Sequence, residues 1–384
     1  MAYASLGTQL LSPQVLTKVV SQYAQNHSSI LDYFGFAPGG ANCFHMGEGR
    51  TGAYHIYNHT RKAARGKAPG TAAAKRSAQP MGQVPFVFPR AHDSVELFAE
   101  DIHNLGKIDD PAVRDEAGEQ MIARQGQTLG EMIANFRVAL TAGLLRGKIY
   151  AVVDNEDWYL SFDVPSEHYF TIDSGIPAGN LEQLEMISGG GNIIDASWAT
   201  ATTNIPGHLG KINAAFQQLC GGRLERVFCT WNTWNYIIQN EYVQATHGTS
   251  NPPFVYLERS EELGPDGVKK NYHLARLNVM PQVEFHITDE GVDLGMLGSE
   301  DYQKIIPDNY CSFVGGSVER KTYEMREGSE PIAEYDGAPI NVKRGMASWS
   351  ATSANPTKTQ MFVLDNCLPI NYVPKSLAFG NVIY

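Results

Sequence analysis

The chain has 384 residues, ordinary apolar content, few charged residues and a formal net charge of −11. That composition suits a globular protein and excludes wholesale disorder, and the negative balance excludes a general nucleic-acid binder, which needs a basic footprint against phosphate. No apolar run approaches the ~20 residues that span a bilayer, and the start, MAYASLGTQLLSPQVL, lacks the positive leader and apolar core of a signal peptide. The five cysteines, Cys43, Cys220, Cys229, Cys311 and Cys367, are scattered without CxxC spacing. They read as reduced, mostly buried thiols of a cytosolic compartment.

In chain order, residues 1–45 read as an extended region with a short helix after Ser12-Pro13 and an apolar cluster, Leu31, Tyr33, Phe34 and Phe36. This part docks either on its own body or on a neighbouring copy. Residues 49–92 hold no Asp or Glu but eight basic residues, Arg50, Arg61, Lys62, Arg65, Lys67, Lys75, Arg76 and Arg90, so this segment is +8 and the rest of the chain −19. Its ends, Ala53 to Tyr57 and Val84 to Phe88, have strand composition, and its middle is too small and polar for a core of its own. A two-stranded loop with a basic tip fits. Residues 93–108 (Val95, Leu97, Phe98, Ile102, Leu105) are expected to form a short amphipathic helix.

The stretch from Asp110 to Gly147 predicts one long helix. Asp110 is a good N-cap, Pro111 fits the first turn, and Gly147 can adopt the left-handed closing conformation. Ile122, Leu129, Ile133, Phe136, Leu140 and Leu144 draw an apolar stripe. Gly126 and Gly130 suggest that another backbone crosses close by. Short strands follow over 148–172, then helix, strand and helix over 204–248, further strands to Val314, a polar irregular stretch from Thr322 to Ser348, and a strand from Thr359 to Leu364 leading into a proline-spaced tail.

Sequence motifs of catalysis are missing: there is no GxSxG, HExxH, CxxC pair or dinucleotide fingerprint. Gly207-His208-Leu209-Gly210-Lys211 has the wrong spacing for a phosphate loop. Cys43, His45, His55 and His59 make a weak metal candidate, and Asp154, Glu156 and Asp157 read as a solvated turn. Neither a cofactor nor a metal is expected.

The order of these features resembles the major capsid proteins of tailed bacteriophages, of the lambda-like capsid protein E family with the Hong Kong 97-type α+β fold. The resemblance rests on Tyr33-Phe34-Gly35-Phe36, the basic extension followed by Pro85 to Phe88, and Asp109-Asp110-Pro111 opening the long helix. Leu144-Leu145-Arg146-Gly147-Lys148 closes that helix, and Ile306-Pro307-Asp308-Asn309 and the tail from Phe362 through Pro369 to Val382 complete the match. It implies an N-terminal arm (1–45), an extended loop (46–88), a peripheral domain (89–200, spine helix about 111–146), an axial domain (201–345) and a C-terminal return to the peripheral domain (346–384).

The implied function is a non-catalytic virion subunit, made in the host cytoplasm, that assembles through hexamers and pentamers into an icosahedral shell. Its partners would be itself, a scaffolding protein, a portal, a decoration protein and, non-specifically, packaged DNA, with no membrane. The N-arm begins close to the first residue, which implies a separate scaffold or processing. Arg61, Lys62, Arg65, Lys67, Lys75 and Arg76 would be the inter-subunit loop, and Asp115, Glu116 and Glu119 a candidate acidic landing surface. The rival readings are an α/β enzyme built on 204–314 and a nucleic-acid-binding protein using 61–76.

Overall fold

The computed structural model describes residues 16–18, 20–21, 28–45, 49, 51–57, 82–98, 111–153, 156–162, 164–165, 168–170, 193–245, 252–259, 272–293, 302–316, 321–332, 341–354 and 357–383. It is an α+β fold in which two mixed sheets share one apolar core.

The first helix, α1 (Ser29–Phe34), is short and closed at both ends. The Ser28 hydroxyl accepts from the Ile30 amide, and Gly35, at φ 67°, ends the helix in the left-handed region. Ile30, Leu31, Phe34 and Phe36 are all buried in the main core of the same chain. Residues 28–45 are thus seated on their own body.

The long helix, α2 (Pro111–Leu145), has 35 residues and is therefore ~52 Å long. Gly147 closes it at φ 74°, with its amide donating to the Leu144 carbonyl at 2.9 Å. Leu129, Ile133, Leu140 and Leu144 are buried, while Ile122 and Phe136 are half-buried. Gly126 and Gly130 are buried too, and the helix lies on strands Thr357–Asn371 and Arg90–Phe98. Leu129, Ile133 and Ala134 meet Met361 and Val363 together with Leu16 and Val20.

The sheet under α2 has five strands. Cys43–His45 runs parallel to Tyr323–Glu327, which pairs antiparallel with the C-terminal end of Thr357–Asn371. The other end of that 15-residue strand is flanked by Ala347–Ala354 on one side and Arg90–Phe98 on the other. Two expectations fail here. Residues 90–98 form a strand rather than the start of a helix, with Arg90 opposite Asn366 and Phe98 opposite Lys358. Val95 and Leu97 fit a period of two as well as a helical one, and a long partner strand decides the matter; residues 99–108 lie outside the described part. The stretch from Thr322 to Ser348 is not irregular: it contributes Tyr323–Glu327, Ser329–Ile332, Asn341–Arg344 and the start of Ala347–Ala354. Its buried positions include Glu324, Glu327 and Glu330, so no apolar alternation announces it.

The second sheet has seven strands in the order Tyr169–Phe170, Leu377–Asn381, Tyr310–Gly316, Arg223–Cys229, Glu284–Thr288, Tyr272–Leu277, Phe254–Glu258. The helices α3 (Ile205–Leu219), α4 (Trp231–Gln239) and α5 (Glu241–Ala245) accompany it. Consecutive strand residues point to opposite faces. Phe285 meets Trp234 of α4 at 5.3 Å between ring centroids, whereas Phe228 and its register partner His286 face α1, with Phe34 stacked on Phe228 at 6.1 Å. The turn Pro307-Asp308-Asn309 places Asn309 at φ 71°, a conformation asparagine tolerates, and Asn309 accepts from the Val382 amide and from Asn232.

Sheet membership cuts across the boundaries expected at 345 and 346. Tyr323–Glu327 lies in the five-stranded sheet, and after Thr357–Asn371 the chain crosses through a tight turn so that Leu377–Asn381 pairs with Tyr310–Gly316 in the seven-stranded one. The last strands therefore join both halves.

Ile133 is 1% exposed and the adjacent Met132 41%. Ile133→Ala should lower unfolding free energy by ~2–5 kcal/mol and Met132→Ala by less than about 0.5 kcal/mol, read by chemical denaturation.

Candidate assembly site

The basic loop of the sequence begins as a hairpin, Thr51–Ile56 paired with Gly82–Val87 in the register Thr51–Val87 to Ile56–Gly82. Arg61, Lys62, Arg65, Lys67, Lys75 and Arg76 lie beyond these strands, outside the described residues. Asp115, Glu116 and Glu119 fall in the first turns of α2, with their side chains outside the described part. His59 is also outside it, and among the described residues no three His, Cys, Asp or Glu stand together as a metal set.

What the structure does define is how the hairpin is held at its root. Tyr54, Ile56, Phe86 and Phe88 are buried in the main core. Tyr54 meets Tyr372 edge-on at 6.2 Å, and the Tyr57 amide donates to the Tyr372 carbonyl at 2.8 Å. The Arg326 guanidinium donates to the Ala53 carbonyl at 3.4 Å and to the Tyr372 hydroxyl at 2.9 Å, while that hydroxyl donates to Glu324. Burial, followed by the bond to Glu324, pushes the Tyr372 phenol up to about 12, so it stays a donor at neutral pH. Gly328 admits the Phe88 ring, which a Cβ there would meet at 2.8 Å.

Beneath this root lies a buried ion junction. Arg137, on α2, is 0% exposed. Its guanidinium grips the Asp365 carboxylate with two bonds, Nε to Oδ2 at 2.6 Å and Nη2 to Oδ1 at 3.0 Å. Nη2 also donates to Glu327 Oε1 at 2.7 Å and Nη1 to the Phe36 carbonyl at 2.9 Å. The other oxygen of Glu327 meets His45 Nδ1 at 2.8 Å. Burial works against the Arg137 charge, but Asp365 and Glu327 more than offset it and hold the group well above its ordinary value. One side chain thus ties α2 to the segment after α1 and to two strands of the five-stranded sheet. Arg90 and Asn366 add a second tie, both reaching Glu330, at 3.2 and 2.9 Å.

The apolar stripe of α2 gave no sign of Arg137, because a lone arginine among helix residues reads as solvated. Its position one residue after Phe136 and three before Leu140, on the half of the helix that carries the stripe, is the one available signal.

A constellation at the start of the region 204–314, with Asp195 and Trp198 just before it, has a catalytic look. His208 Nε2 lies 2.7 Å from Asp195, and Trp198 Nε1 donates to His208 Nδ1 at 3.1 Å. Both ring nitrogens are thereby occupied, with Nδ1 fixed as acceptor, and burial outweighs Asp195 in lowering the ring's basicity. That is the bonding of a structural histidine rather than a general base. Burial likewise pushes the thiols of Cys229, Cys311 and Cys367 far above the range of a nucleophile. No helix among the described residues is long and apolar enough to cross a membrane.

Removing a partner from a buried ion cluster leaves an uncompensated charge, at a typical cost of 3–5 kcal/mol. Arg137→Met should therefore destabilise the chain by about 3 kcal/mol or more, and Arg137→Lys by a smaller but measurable amount because the two-bond grip on Asp365 is lost. Both are checked by urea unfolding at low and high salt, and the loss should persist in high salt because the cluster is sealed from solvent ions.

No known protein family matches the chain, and no curated protein matches it. Solved structures resemble the chain over much of its length at low identity. A phage-related protein from Bordetella bronchiseptica RB50 is 10% identical, with 95% of this chain and 96% of that one covered and a TM-score of 0.49. A protein assigned as the capsid protein of a prophage in Escherichia coli CFT073 is 10% identical over 79% of each chain, with a TM-score of 0.47. The mature capsid of bacteriophage PhiM1 is 12% identical, with 88% and 85% covered and a TM-score of 0.43.

Proposed function

We propose that the chain is the repeating subunit of a tailed-phage head: a major capsid protein of Hong Kong 97 type that assembles through hexamers and pentamers into an icosahedral shell around DNA. The observation that carries this reading is the hairpin. Its root is bolted into the core by Tyr54, Phe86, Phe88 and Arg326, yet it leads into residues 58–81, which carry six basic residues and no carboxylate. A segment of that composition has little to bury on its own body, and copies of the same chain, each −19 outside the basic region, supply the complementary surface. A rigid root gives the segment a fixed direction of departure, as a contact repeated by closed symmetry requires.

In this reading α2 and the five-stranded sheet form the peripheral part of the tile, and the seven-stranded sheet forms the axial part around which copies meet. Asp115, Glu116 and Glu119 are the landing surface for a neighbour's basic segment. The role is structural rather than catalytic, and the protein resides in the virion after synthesis in the host cytoplasm. A scaffolding protein, a portal and a decoration protein are its further partners, and packaged DNA touches it without sequence readout. Attraction between loop and body steers association and weakens with salt.

Reversing charge at three positions, Arg61→Glu, Lys62→Glu and Arg65→Glu, should abolish particles in electron micrographs of purified material while circular dichroism shows a folded subunit. Normal particles from this variant would overturn the role of the loop. Tight, steeply salt-dependent DNA binding by the isolated native subunit would instead favour a nucleic-acid arm.

A further inference from the structure

A cavity of about 490 Å³ lies where α2, the start of α4, residues 289–291 and Tyr302 meet, lined by Glu131, Asn135, Trp231, Asp289, Glu290 and Tyr302. Glu290 faces α1 as well as this cavity. The Ser29 hydroxyl lies 3.3 Å from Glu290 Oε2 and 2.9 Å from His286 Nε2, so the three side chains form a relay between the seven-stranded sheet and the first residue of α1. The Glu290 backbone is fixed at both ends, its amide donating to Thr288 Oγ1 and its carbonyl accepting from Ile305. His286 is held within its strand, whereas α1 belongs to neither sheet.

The charges around Glu290 are mostly of its own sign. Asp32 approaches from α1, Asp289 is the preceding residue, and Glu131 stands across the cavity on α2. The cations nearby are committed elsewhere: Lys304 is paired with Asp289 at 3.2 Å and with Asp308 at 2.9 Å, and Arg226 is paired with Glu284 and stacked over Tyr33 at 4.0 Å. His286 stays neutral, since burial and then Arg226 depress its basicity strongly, and its Nδ1 makes no hydrogen bond. Among the described residues, an ionised Glu290 under a seated α1 therefore has hydroxyl partners but no counter-ion.

We propose that the Ser29–His286–Glu290 relay is a proton-operated latch: α1 seats over a neutral Glu290 and opens more readily once that carboxyl ionises. A neutral Glu290 places no charge beneath α1, and the relay can reorient its protons to keep Ser29 bonded. An ionised Glu290 meets water from the cavity side alone while α1 is seated, and gains hydration on its other side when α1 lifts. Burial first, then Asp32, raises the Glu290 carboxyl to about 7 against the pull of the Ser28 and Ser29 hydroxyls. The folded-state value lies above the ordinary 4.5, so seating is unpenalised below about 4.5, loses ground as pH rises toward 7, and carries the full penalty above that. The latch goes beyond the shell reading and does not depend on it, because it operates within one chain.

The test is amide hydrogen exchange of residues 30–36 in the full chain between pH 5.5 and 8.5, corrected for the intrinsic pH dependence of exchange. The opening constant of α1 should rise roughly 30-fold across this range, the span set by the shift in the carboxyl from 4.5 to about 7. Glu290→Gln, which fixes the neutral shape, should flatten the profile near the low-pH level. Asp32→Asn, which removes a repelling charge, should move the midpoint to lower pH. A flat native profile, an unchanged pH dependence in Glu290→Gln, or an unmoved midpoint in Asp32→Asn would each overturn the latch. Should Glu290→Gln fail to fold, the native profile and Asp32→Asn decide. Absence of particles from the native chain, with its pH profile intact, would count against the shell reading alone.

Discussion

Arg137 carries a full charge on a side chain that touches no solvent, and three other parts of the chain converge on it. A buried guanidinium survives only if its donors are used, and here they are spent on Asp365, Glu327 and the Phe36 carbonyl. Geometry follows from that need. The long helix must lie at one height over the five-stranded sheet, because Asp365 belongs to Thr357–Asn371 and Glu327 to its neighbour. The segment leaving α1 must pass within reach, because Phe36 supplies an acceptor. Strand 323–327 then carries Arg326 to the hairpin root on its other side. Such clusters add little net stability compared with an apolar core of the same shape, but they penalise any alternative register heavily. The cluster therefore specifies position more than it adds strength.

The parts legible from sequence are those whose signals are local. The long helix announced itself by Pro111, its apolar stripe and Gly147, and the structure closes it at Gly147 in the left-handed conformation. The helix–strand–helix over 204–248 and the buried strands around it followed from blocks of apolar residues between turn signals. The hairpin strands followed from Ala53 to Tyr57 and Val84 to Phe88. What sequence hid is non-local. Residues 90–98 form a strand because a 15-residue partner lies beside them, a fact stored more than 250 positions away. The strands between 323 and 344 looked irregular because their buried positions are charged, and those charges make sense only beside Arg137, Arg90 and Tyr372. Arg137, the centre of the buried ion junction, was invisible for the same reason: an arginine reveals its burial only through partners remote in sequence.

The two polar clusters differ in a way their surroundings explain. Around Arg137 opposite charges are matched and enclosed, and the result is rigid. Around Glu290 like charges face one another, and the nearest cations are committed elsewhere. The first lies under the hairpin that would reach a neighbour, the second under the short helix that leads into it through Phe36. The proposed latch would leave the second responsive while the first stays fixed.

The strand Leu377–Asn381 enters the seven-stranded sheet beside Tyr310–Gly316 only after the chain has traversed the other sheet. On the ribosome this has a temporal meaning. Until residues near 380 emerge from the exit tunnel, the strand at 310–316 has one unpaired edge and the main core lacks Leu377, Ala378 and Val382. Non-local pairing of this kind folds slowly. A nascent chain would therefore be held short of its final shape until the strand at 377–381 is free to pair, well after 310–316 has been made.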